Sequence, residues 1–281
     1  AQQCGVPFIT TFHGRYGDTN ALKKIYNSIM IRGEFVIAIS KFIAEDIQSR
    51  YRIGDDTLKI IPRGADISLF NPEDASQQAA NRLIKEWGVP DDTPVIMLPA
   101  RLTRWKGHEV LIEALSLIQD IRFFCVLVGD HDTKRNYKSE LENRIKFQGL
   151  TNRVKITGHC KDMVSAYKIS DIVISASLDP EPFGRITVEA QAMGCVVVAA
   201  DHGGAQETIQ HNRTGILVEP RNSEALADGI KKALEMKTED RTSMGIAARE
   251  FVSSNFSRET MCYRTMSLYC QLLDLNPQLN S

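Results

Sequence analysis

The chain has 281 residues, 43% of them hydrophobic and 25% charged, with a formal net charge of -1. That length supports a sizeable core and about two domains. The balanced charge gives no global basic field for nucleic acid, and no uninterrupted apolar run is long enough to span a membrane. In chain order, "PFITTF" is the first strand candidate, followed by a helical stripe of Leu22, Ile25, Tyr26, Ile29 and Met30 at spacings of three and four. "FVIAIS" and "KIIP" come next. Residues 71–93 are polar, bounded by prolines and helix-like only in the middle, and read as a linker. Six further strand candidates follow: "PVIMLPA", "FFCVLVGD", "RVKITG", "IVISAS", "VVVAAD" and "TGILVEP". Helical periodicity falls at 107–118, 136–150, 184–194 and 222–236. A last helix at about 257–275 opens on Ser257 as N-cap, with Glu259 close behind.

These apolar runs are too continuous for half-exposed antiparallel strands and fit strands covered on both faces. The expected fold class is therefore α/β with parallel sheets. A complete doubly wound, Rossmann-like domain is expected at 94–256, after a partial Rossmann-like domain at 1–70 and the linker. The segment 257–281 is expected to fold back on the first domain. The six cysteines show no C-x-x-C pair and no zinc-ligand spacing, so reduced thiols in a cytoplasmic protein are expected.

In open parallel sheets ligands sit beyond the carboxyl ends of the strands. Polar signals follow four strand candidates: Arg101 and Lys106 in "RLTRWKG", Glu181 and the helix start Gly184-Arg185-Ile186, Gly203-Gly204 with Glu207, and His13-Gly14. Two cations beside a helix start describe a diphosphate site. Arginine offers a planar fork, lysine a point charge, and the first helical amides add dipole and hydrogen bonds. Gly184 lets the backbone approach a ligand closely. There is no G-x-G-x-x-G, Walker A, G-x-S-x-G or H-E-x-x-H.

The set Arg101-x4-Lys106-Gly107, Gly129 in "LVGD", "ITGH" at 156–159 and Glu181-x7-Glu189 resembles family 4 of the retaining glycosyltransferases, the glycosyl transferases group 1, of GT-B fold. The resemblance runs from "TFHG" to the last helix. The wording "DPEPFGRITVEAQAMG" is similar to bacterial members that build envelope polysaccharide or lipopolysaccharide. Such enzymes move a sugar from a nucleotide sugar to an acceptor. The resemblance implies a donor of UDP-, GDP- or ADP-sugar type carrying a hexose, a glycan or lipid-linked acceptor, and no metal or other cofactor. It also implies a cytoplasmic location with peripheral contact at the inner membrane.

By the same resemblance, Arg101 and Lys106 would neutralise the diphosphate, and Glu181 would hold the donor sugar and steady charge at its anomeric carbon. Glu189 would accept from the ribose hydroxyls. The turn Gly158-His159-Cys160 would lie along the base. His13 would face the donor from the first domain. Phe183, Gly184, Arg185, Ile186 and Gly129 would complete the nucleotide-sugar contacts. The chain starts past the family's first strand and glycine-rich loop, so about half of the first Rossmann-like domain is expected to be missing. Three alternatives stay open: a nucleotide-binding module without transfer activity, a related sugar-nucleotide epimerase, and a metal-dependent transferase reading Asp130-His131-Asp132 as a D-x-D motif.

Overall fold

The computed structural model describes residues 4, 6–17, 21–130 and 135–273. His131 and Asp132 of the D-x-D motif lie outside the described residues. The strands form two sheets, each parallel throughout. The first has the order β1 (Ile9–Phe12), β2 (Phe35–Ala38), β3 (Leu58–Ile60). Helix α1 (Ala21–Asn27) leads from β1 towards β2, and α2 (Lys41–Arg50) joins β2 to β3. Helix α3 (Gln77–Trp87) stands between the two sheets in sequence.

The second sheet is built from β4 (Val95–Pro99), β5 (Phe124–Val128), β6 (Val154–Gly158), β7 (Ile172–Ser175), β8 (Val196–Ala200) and β9 (Ile216–Val218). Between them run α4 (His108–Ser116), α5 (Arg135–Phe147), α6 (Met163–Lys168), α7 (Arg185–Ala192) and α8 (Ala205–Thr208), and after them α9 (Ser223–Leu234), α10 (Thr238–Asn255) and α11 (Arg258–Leu272). The spatial order is β6-β5-β4-β7-β8-β9. The chain winds outward from β4 to β6 and then returns to place β7 on the other side of β4. The loops after β4 and β7 therefore leave in opposite directions and open a crevice, the ligand position of doubly wound sheets.

Strand composition follows from burial on both faces. Val95 and Met97 enter one core cluster and Ile96 and Leu98 the other; Phe124, Val126 and Val128 alternate in the same way with Cys125 and Leu127. With side chains at period two and both faces covered, no polar alternation survives in the sequence.

Three elements differ from the expectations or extend them. The stripe Leu22, Ile25, Tyr26 and Ile29 does not face a core among the described residues: Leu22 is 78% and Tyr26 73% exposed, and only Met30 packs inward. Helical spacing marks a face that can be covered without saying what covers it. The 71–93 stretch carries α3 with Ser76 as N-cap and Gly88 in the left-handed region as its stop, and Trp87 is buried in the core. Helix α10 went unread because its buried face is Met244, Gly245, Ala248 and Val252, mostly small residues with little apolar contrast. A Cβ on Gly245 would lie 2.6 Å from the Gly194 carbonyl oxygen, so small size is what this contact requires.

The two sheets share one core cluster, which includes Phe12 and Ile43 from one side and Phe183 and Val197 from the other. Helix α11 lies on the first sheet, with Leu268 packed on Ile37 and Ile61. Ala65 exchanges backbone hydrogen bonds with the α10–α11 turn, at 2.8 Å from Ala65 N–H to Phe256 O and 2.8 Å from Arg258 N–H to Ala65 O. All six cysteines are unpaired; Cys125 and Cys195 are buried, whereas Cys4 and Cys262 are exposed. No helix among the described residues is long and apolar enough to cross a membrane.

Candidate functional site

A pocket of about 510 Å³ opens at the crevice. It is lined by Arg101 and Lys106 from the β4 loop, Gly129 and Asp130 after β5, His159 and Cys160 after β6, and Arg185, Ile186 and Glu189 from the start of α7. Arg101, Lys106, Gly129, His159, Cys160, Arg185, Ile186 and Glu189, all expected at the donor site, thus meet around one cavity. Glu181 lies against its floor with Lys106, Ser177 and Ile186.

Close backbone approaches build this crevice. A Cβ on Gly107, whose φ is +73°, would stand 1.8 Å from the Ala176 carbonyl oxygen, and one on Gly129 would stand 2.0 Å from that of Ala100. Both glycines let neighbouring strand-end loops touch, and Gly107 also adopts a left-handed conformation that glycine favours. The β4 loop is then drawn over the end of β7, with Leu178 N–H donating to Trp105 O at 2.7 Å.

The charges are arranged unequally. Lys106 Nζ lies 2.6 Å from Glu181 Oε1, with both side chains largely buried, and 4.1 Å above the centre of the Trp105 ring. Ser177 Oγ donates to the same Glu181 oxygen, and His202 Nε2 donates to the Ser177 carbonyl at 2.9 Å. Arg101 is exposed and makes no ion pair among the described residues. The two cations therefore start from different states: one engaged with the acid loop, the other open to a ligand.

Glu189, one turn into α7, accepts from the Tyr167 hydroxyl at 3.0 Å and lies 3.1 Å from Arg185 Nε. Burial pushes its carboxyl above the usual glutamate range, and Arg185 and Tyr167 only partly oppose it. Tyr167 is itself buried, and burial followed by the Glu189 charge raises its hydroxyl well above the ordinary value. Folding therefore raises the proton affinity of Glu189, and the stability it contributes is expected to fall as pH rises from the usual glutamate value through the raised one. Glu189→Gln, which removes that charge, is expected to melt higher than the parent at pH 7 and the same at pH 4; parallel melting curves at the two pH values check this.

The α7 start sits on a polar network. Gly184 is the N-cap at φ +85°, and Thr187 Oγ1 donates to its carbonyl at 2.6 Å. Thr187 and Thr208 hydroxyls lie 2.9 Å apart, and Gln191 Nε2 donates to Thr208 O at 2.7 Å; all three side chains are fully buried. This network ties α8 to the start of α7, where the amides of Arg185 and Ile186 lack an acceptor within the helix.

Two singled-out residues fall elsewhere. Phe183 is buried and edge-on to Phe256 at 5.6 Å, so its ring supports the acid loop from below and does not line the pocket. An aromatic beside a glycine in a loop reads equally as contact or anchor, and only packing decides. His13 is exposed, outside the pocket lining, and its Nδ1 lies 2.8 Å from Arg63 Nη2. A guanidinium only donates, so Nδ1 accepts. Burial and the Arg63 charge lower the pKa of His13. The adjacent Gly14 would place a Cβ 3.4 Å from Pro182 Cγ, which puts the β1 loop against the acid loop. Tyr167, Ser177 and His202 were not read from the sequence as site residues. Nothing in a six-residue helix or a strand-end serine distinguishes them until β7 and β8 are paired.

His108 is fully buried next to this loop, and burial lowers its pKa to about 4. Among the described residues no cluster of three or more His, Cys, Asp or Glu side chains could hold a metal ion.

Two parallel sheets that share one core cluster, the second bearing a cation loop after β4 and an acid loop after β7, define a GT-B architecture. The glycosyl transferases group 1 family model matches residues 80–251, and the glycosyltransferase family 4 model matches residues 1–69. The chain belongs to the glycosyl transferases group 1 family. Among curated relatives, a GDP-mannose-dependent monoacylated alpha-(1-6)-phosphatidylinositol monomannoside mannosyltransferase of Corynebacterium glutamicum is 28% identical over 90% of this chain and 65% of its own. A glycosyltransferase structure from Rickettsia africae is 40% identical, with a TM-score of 0.89 over 95% of this chain and 70% of that one. Anabaena HepE in complex with UDP is 28% identical, with a TM-score of 0.87 over 96% of this chain and 74% of that one. The chain spans 54–65% of the length of the curated relatives it matches.

Proposed function

We propose that this chain carries the donor-binding half of a retaining glycosyltransferase. The enzyme moves a hexose-type sugar from a nucleotide-diphosphate sugar to a glycan or lipid-linked acceptor, without a divalent metal. The observation that carries the reading is the pocket itself. An open cation, Arg101, a second cation, Lys106, and the start of α7 line it together with Glu189, a largely buried carboxyl one turn into that helix. The cations and the helix start suit a diphosphate, and the carboxyl suits hydroxyl donors such as those of ribose.

In this reading Arg101 and Lys106 take up the negative charge of the departing diphosphate. Lys106 divides its three donors between the phosphate and Glu181. Glu181, held by Ser177, holds a hydroxyl of the donor sugar and steadies the charge that develops at the anomeric carbon. The bond from that carbon to the diphosphate oxygen breaks, the bond to the acceptor oxygen forms on the same face, and the acceptor proton passes to the leaving phosphate. Catalysis is then positioning plus leaving-group electrostatics. The turn at Gly158-His159-Cys160 lies along the base. Residues 1–70 form part of an acceptor-side domain, 71–93 connect it, 94–256 bind the donor, and 257–281 return to the first domain. An envelope-polysaccharide or lipid-linked acceptor would bring the enzyme to the inner membrane surface from the cytoplasm.

One second reading is a module that binds nucleotide without transfer, since every residue lining the pocket belongs to the second sheet, its loops and its helices. Thermal shift with UDP, GDP and ADP, beside nucleoside diphosphate release from UDP-glucose and GDP-mannose, separates the two. Shift with release supports the transferase, and shift alone supports the module. No shift with any of the three nucleotides sinks both. EDTA and Asp130→Ala are expected to leave the shift unchanged; a shift abolished by EDTA would overturn metal independence.

A further inference from the structure

The acid loop is held from outside its own sheet. The first amides of α2 have no acceptor within the helix. Ser40 Oγ accepts from Ile43 N–H at 3.1 Å, while Lys41 and Phe42 N–H donate to the two oxygens of Glu207, each at 2.8 Å. Glu207 belongs to α8, on the other sheet, more than 160 residues along the chain. A carboxylate on two free amides at a helix start is favoured by charge and by hydrogen bonding together.

Ser40, fully buried, uses its one proton on the Pro182 carbonyl at 2.6 Å. Pro182 follows Glu181. On the other side of that residue, Gly204 N–H donates to the Glu181 carbonyl at 2.8 Å. Gly203 and Gly204 permit this approach, since a Cβ on either would fall 2.6 Å from Glu181 O or 2.3 Å from Phe183 O. The backbone that carries Glu181 is thus gripped by Gly204 and by Ser40, and Glu207, three residues beyond Gly204, ties both grips to one helix start. Ser40 and Glu207 do not line the pocket.

We propose that Ser40 and Glu207 are positioning residues that set Glu181 against the donor sugar by clasping its loop to the start of α2. The proposal rests on the donor-binding reading above and adds how the first sheet acts on it. Moving α2 away by about an ångström breaks three hydrogen bonds to α8 and the acid loop, and misplacement of that size is enough to cost about a hundredfold in rate. The nucleotide end of the ligand, held by Arg101 and Glu189, does not depend on the clasp.

Calorimetry on the full chain tests this with UDP and UDP-glucose, or GDP and GDP-mannose if guanine is preferred. The ratio of the two dissociation constants reads the sugar's contribution, and Glu181→Gln sets the largest loss. Glu207→Gln and Ser40→Ala are each expected to lower that contribution about tenfold while changing the affinity for the nucleotide alone less than about twofold. Equal weakening of nucleotide and nucleotide sugar would mean that the clasp only cements the two halves, and an unchanged ratio would mean that it positions nothing; either overturns the proposal. If Glu207→Gln fails to fold, Ser40→Ala, which loses one cap and the Pro182 bond, decides by the same ratio. A parent chain that binds no nucleotide would remove the functional reading itself, and the proposal with it.

Discussion

Arg101→Ala is expected to weaken UDP binding on the order of a hundredfold and leave the melting temperature unchanged. The side chain is exposed and has no ion pair among the described residues, so the expected loss is confined to the phosphate contact the proposed function gives it. Surface substitutions of this kind usually alter stability by less than about 0.5 kcal/mol. Lys106→Ala is expected to weaken binding comparably but also to destabilise the fold by about 2 kcal/mol. It leaves the largely buried Glu181 carboxylate with the Ser177 hydroxyl as its remaining side-chain partner among the described residues; the figure sits below the range for fully buried pairs because both groups keep some solvent. Adding Glu181→Gln to Lys106→Ala is expected to restore most of the stability and none of the affinity. Titration with UDP beside urea unfolding measures both. If Arg101→Ala binds UDP like the parent, the phosphate site is not where the proposed function puts it.

The second large effect concerns the backbone. Gly107→Ala is expected to cost about 3 kcal/mol or more, lowering the melting temperature by roughly 10 °C in a chain of this size. Two penalties coincide there: a left-handed φ of +73° and a Cβ that would overlap the Ala176 carbonyl. The backbone of β7 cannot yield without disturbing the crevice. Two controls separate the penalties. Gly194→Ala has φ +74° and open space around its Cβ, so it is expected to cost only the conformational strain, about 1–2 kcal/mol. Gly54→Ala has neither, and is expected to be neutral or slightly stabilising. Equal melting temperatures for Gly107→Ala and Gly194→Ala would show that the close approach is not what holds the β4 loop.

The differences between reading and structure have a common cause. The strands were most legible where both faces are buried, as in β4, β5 and β8, whose residues are all buried and apolar. Helices α4, α5, α7 and α9 were legible by their spacing, but α10 was not, because a helix packed through glycine and alanine leaves no contrast between its faces. The stripe on α1 was read correctly as a pattern, yet it is exposed among the described residues. In the site, cations and acids at strand ends could be named, because parallel sheets put ligands there. Phe183, expected among the nucleotide-sugar contacts, packs in the core instead, and Tyr167, Ser177, His202 and Ser40 carry no local mark of their contacts with the functional loops.

By itself, then, the sequence determined which segments are strands, which loops bear charge, and where glycine must replace a side chain. Those are properties of short stretches, set by burial, charge and φ. Strand order was left to the tertiary structure. Pairing β7 with β4 rather than with β6 brings the Lys106 and Glu181 loops face to face, although 75 residues separate them. The packing of the two sheets likewise brings Glu207 onto α2. Both outcomes depend on contacts between distant segments, whose pairing is chosen by the summed burial of the whole core.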